Sequence, residues 1–545
     1  MALRFFYKNL KQDNSGYLFI ACAQDYARFL HGSYEPLPAL SAAGGVDFID
    51  NYNATIRDCA ALNKKNIFFS LTPLAARNTW QSSFYQGAES FARLSQLPEG
   101  DVNFYSPEWF LWACAHLDSH ADAADVRRAQ RELRALPLQR FFMAYQGWRY
   151  IWLRKVSRRK LPQGQRLIIT SIWTAAACKG WTERGDDPFY GVLPRCFKDQ
   201  GEKAALVYHA EGLLRDLDDS GPLPAFNFTA LLRPVDWVDL VRRLLFFKVK
   251  LPVSIRLPKA ALYRDVYQSL SNQLPLSMVS YKAVMNLARL NPQADFLTAY
   301  EGNCWERGVV QAAHDSGRRS IGYQHTSFAP GALKMQGGSE RKVIASGPGS
   351  ARLLVDVLGM PERDVVAGVS LRYQSAFKAS PSLKNGKILV LLQGAPDDAL
   401  FLHYIKKNLI ANDVIVRAHP AWAAGKDIPF PLSENNLQED LSSARVVLYT
   451  GTTAAFDALC AGVSAVHVNL GSPLSADPLF ALTDSAVKKT GAAGDDLSVL
   501  IASMDSLSQS ERDDGFKKAH QFIRSYFAPA DQASLENIMN QVLHG

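Results

Sequence analysis

VIVRAHP, from Val414 to Pro420, and VVLYTGTTAAFDALCAG, from Val446 to Gly462, are the stretches that decide the fold class. Each begins with aliphatic and β-branched residues, which predict a buried strand, and each then passes into a polar loop. The second loop leads into a helical pattern. Because strands that alternate with helices form parallel sheets covered on both faces, we expect an α/β protein built from Rossmann-like domains.

The polar residues of both stretches follow the strands, where doubly wound sheets bind ligands. Gly451 permits a tight turn, and Thr452 and Thr453 stand at a predicted helix start, where hydroxyls and unpaired amides can hold an anion. His419, fixed by the following Pro420, can donate a hydrogen bond to that anion or protonate it as it leaves. We predict a nucleotide phosphate site; the alternative is an ordinary N-cap and a loop histidine.

The alternation of strands and helices divides the 545-residue chain into three predicted parts. Residues 336–545 are predicted to form a C-terminal Rossmann-like domain with helices at its end, and residues 161–335 an N-terminal Rossmann-like domain. Residues 1–160 form an extension, with predicted strands at Tyr17–Ala23 and Asn66–Leu71. This extension either continues the sheet of the first domain or forms a separate cap.

Composition and cysteine content indicate a globular protein with reduced thiols. Hydrophobic residues make up 48% of the chain and charged residues 21%, which is enough apolar material for large cores and excludes a mainly disordered chain. The seven cysteines form no CxxC pair and no zinc spacing. With no leader-like start and no long uncharged apolar run, we expect a cytoplasmic protein, neither secreted nor membrane-spanning.

The positive charge is unevenly distributed. The formal net charge is +8, and no acidic residue occurs between Glu132 and Glu183. Within that interval RFFMAYQGWRYIWLRKVSRRK, Arg140–Lys160, mixes cations with aromatic rings, and RRLLFFKVKLPVSIRLPK, Arg242–Lys259, is a second such stretch. These patterns suit an anionic membrane surface, and nucleic acid would attract them equally well. The alternative is a basic helix whose aromatic side is buried in its own domain.

A strand that ends in RAHP, followed by a strand that ends in a hydroxyl pair, resembles the GT-B glycosyltransferases that use CMP-activated acidic sugars. The chain is similar in particular to Kdo transferases and bacterial sialyltransferases. His419 matches their HP motif, and Thr452 and Thr453 stand at their S-S/T motif, with threonine where serine is usual. The segment Phe456–Val463 resembles the acidic residue and AGxP region of GT-B enzymes, which implies that Asp457 lies near the ribose.

This resemblance implies a GT-B fold, in which two Rossmann-like domains face each other across a cleft, here with an N-terminal extension. The implied activity is transfer of Kdo or a nonulosonic acid from a CMP donor to a bacterial surface glycan or lipid-linked acceptor. No cofactor and no nucleic-acid partner are implied, and the enzyme would work in the cytoplasm or at the inner face of the membrane. Two alternatives are a CDP-glycerol-type phosphotransferase of the same fold and a basic, non-catalytic scaffold or nucleic-acid-binding protein.

Four residues are candidates for catalysis. Related transferases carry a glutamate after a strand of the first domain and a YQH-type segment, which implies Glu301 as the catalytic carboxylate and His325 as a donor near the sugar or phosphate. An acceptor hydroxyl needs a base, and a retaining mechanism with a covalent intermediate also needs a nucleophile. Asp186 or Asp187, in GDDPFYG, is the candidate nucleophile. The acidic D/E-D/E-G motif of several sialyltransferases is absent, so the stereochemical course stays open.

Three further residues complete the predicted nucleotide site. Gln393 and Gly394 end the strand ILVLLQG, where a glycine allows the backbone to approach a base or ribose, and Arg417 belongs to the RAHP strand. No DxD motif follows a predicted strand, and the DLD at residues 216–218 lies in a charge-rich helical context. We therefore predict activity without a metal ion.

Overall fold

The computed structural model describes residues 1–5, 15–20, 33–40, 42–64, 66–70, 72, 82–156, 160, 162–173, 175–210, 221–252, 257–330, 332, 335, 342–371, 386–395, 397–419, 428–472, 474–492 and 494–544. These residues form three parallel β-sheets with helices packed on them. The α/β fold class predicted from the alternating pattern is confirmed.

The extension has a sheet of its own. Its strands are β1 (Ala2–Phe5), β2 (Ser15–Leu18), β3 (Ser33–Pro36), β4 (Asp101–Phe104) and β5 (His120–Ala121), in the order β3-β2-β4-β1-β5. Its helices are α1 (Ala42–Leu62), α2 (Ile67–Ser70), α3 (Ser83–Leu94), α4 (Pro107–His116), α5 (Ala123–Arg134) and α6 (Leu136–Trp152). The strand predicted at Asn66–Leu71 is wrong, because this short apolar run forms helix α2, and periodicity alone does not separate the two. The strand predicted at Tyr17–Ala23 overlaps β2, and residues 21–23 lie outside the described residues.

The middle sheet belongs to the first Rossmann-like domain. Its strands are β6 (Leu167–Trp173), β7 (Ala204–Ala210), β8 (Ala225–Asn227), β9 (Asp295–Ala299), β10 (Ser320–Tyr323), β11 (Lys342–Ala345) and β12 (Val365–Ala367), in the order β12-β11-β10-β9-β6-β7-β8. Its helices are α7 (Ala175–Arg184), α8 (Leu193–Asp199), α9 (Pro234–Leu245), α10 (Lys259–Ser269), α11 (Gln273–Leu290), α12 (Cys304–Asp315) and α13 (Pro348–Asp356). Since β11 and β12 belong to this sheet, it extends past the domain boundary predicted at residue 335.

The third sheet contains the strands of both VIVRAHP and VVLYTGTTAAFDALCAG. Its strands are β13 (Lys387–Leu391), β14 (Val414–Arg417), β15 (Ala444–Tyr449), β16 (Ser464–Asn469) and β17 (Lys488–Ala492), in the order β14-β13-β15-β16-β17. The helices that follow are α14 (Asp398–Asn408), α15 (Leu437–Ser443), α16 (Ala454–Cys460), α17 (Leu497–Asp505), α18 (Gln509–Tyr526) and α19 (Gln532–His544). The predicted strands and terminal helices are confirmed.

The C-terminal segment returns from the third sheet to the middle one. Between α18 and α19, Ala528 N donates to Ser346 O at 2.9 Å, and Ser370 N donates to Ala528 O at 2.7 Å. Helix α19 then buries Ile538 and Val542 in the core of the middle sheet. Two Rossmann-like domains whose last helix crosses back onto the first form the GT-B type of α/β fold.

The extension packs on the C-terminal domain as well as on the middle one. Its Leu18 and Tyr34 share a buried cluster with Leu400 of α14. Arg93 of α3 donates through Nη2 to the carbonyl of Gly471, in the loop after β16, at 2.8 Å. The extension therefore lies beside the edge of the third sheet at which its strands end.

The six described cysteines are free thiols, and four of them are buried. None of the described helices combines the length and the apolar composition that crossing a bilayer requires.

Candidate active site

The third sheet has a topological switch point between β13 and β15. Strand β13 pairs with β14 on one side, where Leu391 lies opposite Arg417, and with β15 on the other, where Leu391 lies opposite Tyr449. All three strands are parallel and in similar register, so the loops that follow them leave at one edge of the sheet. Open α/β sheets bind ligands in the crevice at such a point.

His419 and Gly394 touch at this crevice. A Cβ atom added to Gly394 would lie 2.9 Å from His419 Cγ and 3.0 Å from Nδ1, and Gly394 has a φ of +76°. Both the close approach and the left-handed backbone require glycine here. His419 is half-buried in the loop after β14. The structure thus brings these two predicted residues together, whereas Pro420 lies outside the described residues.

Gly451 packs on Gln393. A Cβ atom at Gly451 would collide with the side-chain oxygen of Gln393. The Nε2 atom of Gln393 donates to Asp397 Oδ1 at 2.8 Å. Gln393 is 7% exposed, so it supports the turn after β15 rather than facing a ligand as predicted. Its Oε1 and Thr450 Oγ1 are buried and have no hydrogen-bond partner among the described residues. Buried oxygens without a partner oppose stability.

Thr452 and Thr453 differ in what their hydroxyls do. Thr452 is 8% exposed, and its Oγ1 accepts from Ala454 N at 3.3 Å. Thr453 immediately precedes α16, is half-buried and makes no side-chain capping bond. The ordinary N-cap alternative for Thr453 is therefore wrong, and its hydroxyl is the one available to a ligand.

Asp398, which the sequence analysis missed, occupies the amide groups after β13. Its carboxylate accepts from the backbone N–H groups of Gln393 at 3.1 Å, Gly394 at 2.8 Å and Ala395 at 3.2 Å. Those amides are consequently taken, and an incoming phosphate would meet His419 and the β15 loop instead. Burial, followed by repulsion from Asp397, raises the pKa of Asp398 to about 7, and burial raises the pKa of Asp397 to about 6.

We expect Asp397→Asn to stabilise the protein at alkaline pH. A carboxyl whose pKa is raised on folding stabilises the folded protein most at pH values below its ordinary pKa. That stabilisation is lost as the pH rises through 6 to 7. The variant should gain about 1–2 kcal/mol over wild type in urea unfolding at pH 8 and almost nothing near pH 4. Asp413→Asn, at an exposed position, serves as the control. An equal gain at both pH values would contradict this assignment.

Arg417 does not face the crevice. Its Nη1 donates to Asp440 Oδ2 and to Asn435 O, both at 2.7 Å, and Asp440 is 3% exposed. The guanidinium thus fastens helix α15 to β14, and the predicted nucleotide contact is replaced by this pairing. Asp457 lies half-buried in the first turn of α16, and its contact with a ribose stays a prediction.

Glu301 lies at the switch point of the middle sheet, where β9 adjoins β6. Its Oε1 accepts from Thr326 Oγ1 at 2.7 Å and lies 3.3 Å from His325 Nε2, and its Oε2 accepts from Asn303 Nδ2 at 3.1 Å. The side chain of Glu301 is 19% exposed and that of His325 is 6% exposed. Of the two side chains, that of Glu301 is therefore the more accessible. His325 lies behind this carboxylate and not in the predicted position of a donor to the sugar or phosphate.

A second carboxylate, that of Glu306, caps the start of helix α12. Glu306 accepts from the backbone N–H groups of Glu301 and Asn303, at 3.0 Å each, and is 1% exposed. This capping box satisfies the amides that precede α12. The carboxylate of Glu301 therefore does not cap helix α12, and it accepts hydrogen bonds from the side chains of Thr326 and Asn303 instead.

Asp187 supports His325 indirectly. Its carboxylate accepts from Phe189 N at 2.8 Å, Tyr190 N at 3.1 Å and Trp173 Nε1 at 2.8 Å. The Phe189 ring then meets the His325 ring edge-on, with centroids 4.2 Å apart. Burial raises the pKa of Asp187, which is 3% exposed, and these hydrogen bonds oppose the shift. Buried and fully bonded, Asp187 does not fit the predicted role of nucleophile.

Asp186 does not fit that role either. It forms surface ion pairs with Arg184 at 3.3 Å and Arg195 at 2.9 Å. The two aspartates are adjacent in the sequence, but only Asp187 faces the interior. The predicted catalytic group thus reduces to Glu301 with His325.

The described residues contain no group of three or more histidine, cysteine, aspartate or glutamate side chains arranged to hold a metal ion. The DLD at residues 216–218 lies outside the described residues. Activity without a metal ion stays a prediction.

No protein-family model and no curated protein matches the sequence. The chain is similar to a solved glycosyltransferase from Rickettsia africae, at 10% identity and a TM-score of 0.36, over 70% of this chain and 99% of the other. It is similar to the lipopolysaccharide outer core galactosyltransferase WaaB, at 7% identity and a TM-score of 0.39, over 69% of this chain and 98% of the other. It is also similar to the UDP-GlcNAc 2-epimerase of Methanocaldococcus jannaschii, at 9% identity and a TM-score of 0.39, over 70% of this chain and 100% of the other. Likenesses this distant concern the fold alone and assign no reaction.

Proposed function

We propose that this protein is a glycosyltransferase that moves an acidic 2-keto sugar, Kdo or a nonulosonic acid, from its CMP ester. The acceptor is a bacterial surface glycan or a lipid-linked precursor, and no metal or cofactor takes part. One observation supports the proposal: His419 lies against Gly394, and Gly451 lies against Gln393, in the loops that follow the three strands at the switch point of the third sheet. The choice of CMP rests on the resemblance of the HP and hydroxyl-pair motifs.

Departure of CMP requires stabilisation of its phosphate. His419 can donate a hydrogen bond or a proton to the leaving oxygen, and the hydroxyl of Thr453 can donate a second bond. Because Asp398 occupies the amides after β13, these side chains carry the phosphate contact in this proposal.

Attack by the acceptor requires removal of its hydroxyl proton. Glu301 is the base, since its carboxylate is partly exposed while Thr326 and His325 hold its Oε1. A retaining route through a covalent intermediate needs a second carboxylate, and both Asp186 and Asp187 are engaged elsewhere. The proposed reaction therefore inverts the anomeric configuration.

A nucleotide screen tests the donor class. CMP, UMP, UDP-GlcNAc, CMP-Kdo and a CMP-sialic acid are added separately and the unfolding midpoint is recorded. A ligand at a hundred times its Kd stabilises the folded state by about 2.7 kcal/mol. We expect a rise with CMP and the CMP-sugars. A rise with the uridine nucleotides alone would overturn the donor assignment and leave the fold intact.

Product analysis then tests the reaction class. Transfer of a sugar leaves no phosphorus in the acceptor, whereas a CDP-glycerol-type phosphotransferase does. The same assay in EDTA should proceed at an unchanged rate. Loss of turnover that magnesium restores would show that a metal is needed. We place the enzyme at the inner face of the cytoplasmic membrane.

A further inference from the structure

Exposed apolar side chains are concentrated on helices α6 and α9. Nine of the fourteen large hydrophobic side chains exposed on the described residues belong to these helices or their C-caps. They are Leu138, Phe141, Phe142, Tyr145, Trp152 and Leu153 on α6, and Val235, Val238 and Phe246 on α9. We call this surface the α6–α9 face. Apolar patches of this kind on a protein surface mark interaction sites.

The exposed side chains of α6 form one stripe. Leu138, Phe142 and Tyr145 recur at helical spacing and are 71%, 55% and 57% exposed. The buried side of the helix carries Ala144 and Gly147, and it packs on the core instead. The aromatic stripe thus points away from the protein, so the alternative of an aromatic side buried within its own domain is wrong for this helix.

Helices α6 and α9 join through three tryptophans. Trp237 of α9 lies edge-on to Trp148 and Trp152 of α6, with ring centroids 5.7 and 5.9 Å apart. The ammonium of Lys155 sits 4.3 Å above the Trp152 ring. These contacts place the stripe of α6 beside α9, whose exposed side chains include Val238 at 69%.

Cations border this surface. Helix α6 contains no acidic residue, and Asp239 of α9 is paired with Arg242, Arg243 and Lys282. The exposed cations on or next to the two helices are Arg149, Lys155, Arg242, Lys248 and Lys250. The α6–α9 face thus combines exposed rings with positive charge.

A pocket of about 200 Å³ lies between α9 and α11. Its lining includes Arg233, Arg243, Lys282, Arg289 and Asp236. Arg233 pairs with Asp236, and Arg243 and Lys282 pair with Asp239. Three of these four cations are therefore paired with carboxylates, so the positive charge of the surface comes from the exposed cations.

We infer that the α6–α9 face docks on an anionic phospholipid membrane, with the rings among the headgroups and the exposed cations against the lipid phosphates. Aromatic and aliphatic side chains are stabilised by insertion at the bilayer interface, and each cation near an anionic surface adds to the attraction. Charge complementarity selects this partner over a neutral surface. The inference does not depend on which sugar nucleotide the enzyme uses.

Vesicle flotation of the full chain tests the inference. Wild type should bind vesicles that contain phosphatidylglycerol at least roughly tenfold more tightly than phosphatidylcholine vesicles, and added salt should weaken binding. Phe141→Ser with Phe142→Ser should abolish binding, and Arg149→Glu with Lys248→Glu should remove the preference for anionic lipid. The matched control is Ile410→Ser with Val499→Ser, two similarly exposed positions on the C-terminal domain.

Three results would overturn the inference. They are failure of wild type to bind anionic vesicles, equal loss of binding in the control variant, and loss of self-association rather than vesicle binding in the Phe141→Ser, Phe142→Ser variant. Tight RNA binding abolished by the Arg149→Glu, Lys248→Glu variant, without vesicle binding, would assign the face to nucleic acid. A screen for nucleotide binding reads a different site, so the proposed function can fail without affecting this result.

Discussion

Glu301→Gln is expected to lower turnover by roughly 10²- to 10⁴-fold while CMP binds as tightly as to wild type. The amide cannot take the proton of the acceptor hydroxyl, yet it still accepts from Thr326 and keeps nearly the same volume. Single-turnover rates with a CMP-sugar and titration with CMP separate the two effects. Turnover close to wild type would exclude Glu301 as the base.

Asp186→Asn is the matched control for that variant. Asp186 lies in surface ion pairs with Arg184 and Arg195, so we expect unchanged turnover and almost unchanged stability. A large loss of turnover in Asp186→Asn, with a glycosyl adduct on the protein, would instead establish a retaining route. The two variants together therefore decide between one carboxylate and two.

The strands of the two Rossmann-like domains could be predicted because they are buried on both faces and appear as continuous apolar runs. Ile388–Gln393 and Val446–Leu448 are such runs, and the polar residues after them must lie at one edge of a parallel sheet. The convergence of His419 with Gly394 follows from that geometry alone. The strand order of the third sheet, which could not be predicted, adds that these residues lie at the switch point between β13 and β15.

The roles of individual side chains could not be predicted, because each depends on a partner distant in sequence or on its direction from the backbone. Arg417 is taken by Asp440, which lies on another element, and Asp187 turns inward to Trp173 while its neighbour Asp186 turns outward. Asp398 fills the amides of its own loop, for which GAPDD gives a weak signal. The extension's sheet was missed because strands such as SGYL at Ser15–Leu18 and SYEP at Ser33–Pro36 carry glycine, proline and polar residues in place of an apolar run.

His419→Ala is expected to weaken CMP binding roughly 10- to 100-fold, since a hydrogen bond to a charged phosphate contributes about 1.5–3 kcal/mol. The side chain is half-buried in a loop, so the unfolding midpoint without ligand should change little. Isothermal titration measures the affinity, and His314→Ala, an exposed histidine on α12, is the control. Unchanged CMP affinity in His419→Ala would remove the phosphate site from the β14 loop.

The two threonines sharpen that result, because the structure gives their hydroxyls different tasks. Thr453→Ala should weaken CMP binding without lowering stability, as its hydroxyl makes no capping bond. Thr452→Ala should lower stability by about 1 kcal/mol, because it removes the acceptor for Ala454 N. If His419→Ala and Thr453→Ala act on one phosphate, their combined loss of affinity will differ from the sum of the single losses. Strict additivity would mean that the two side chains contact separate groups, and the phosphate would then be held by one of them alone.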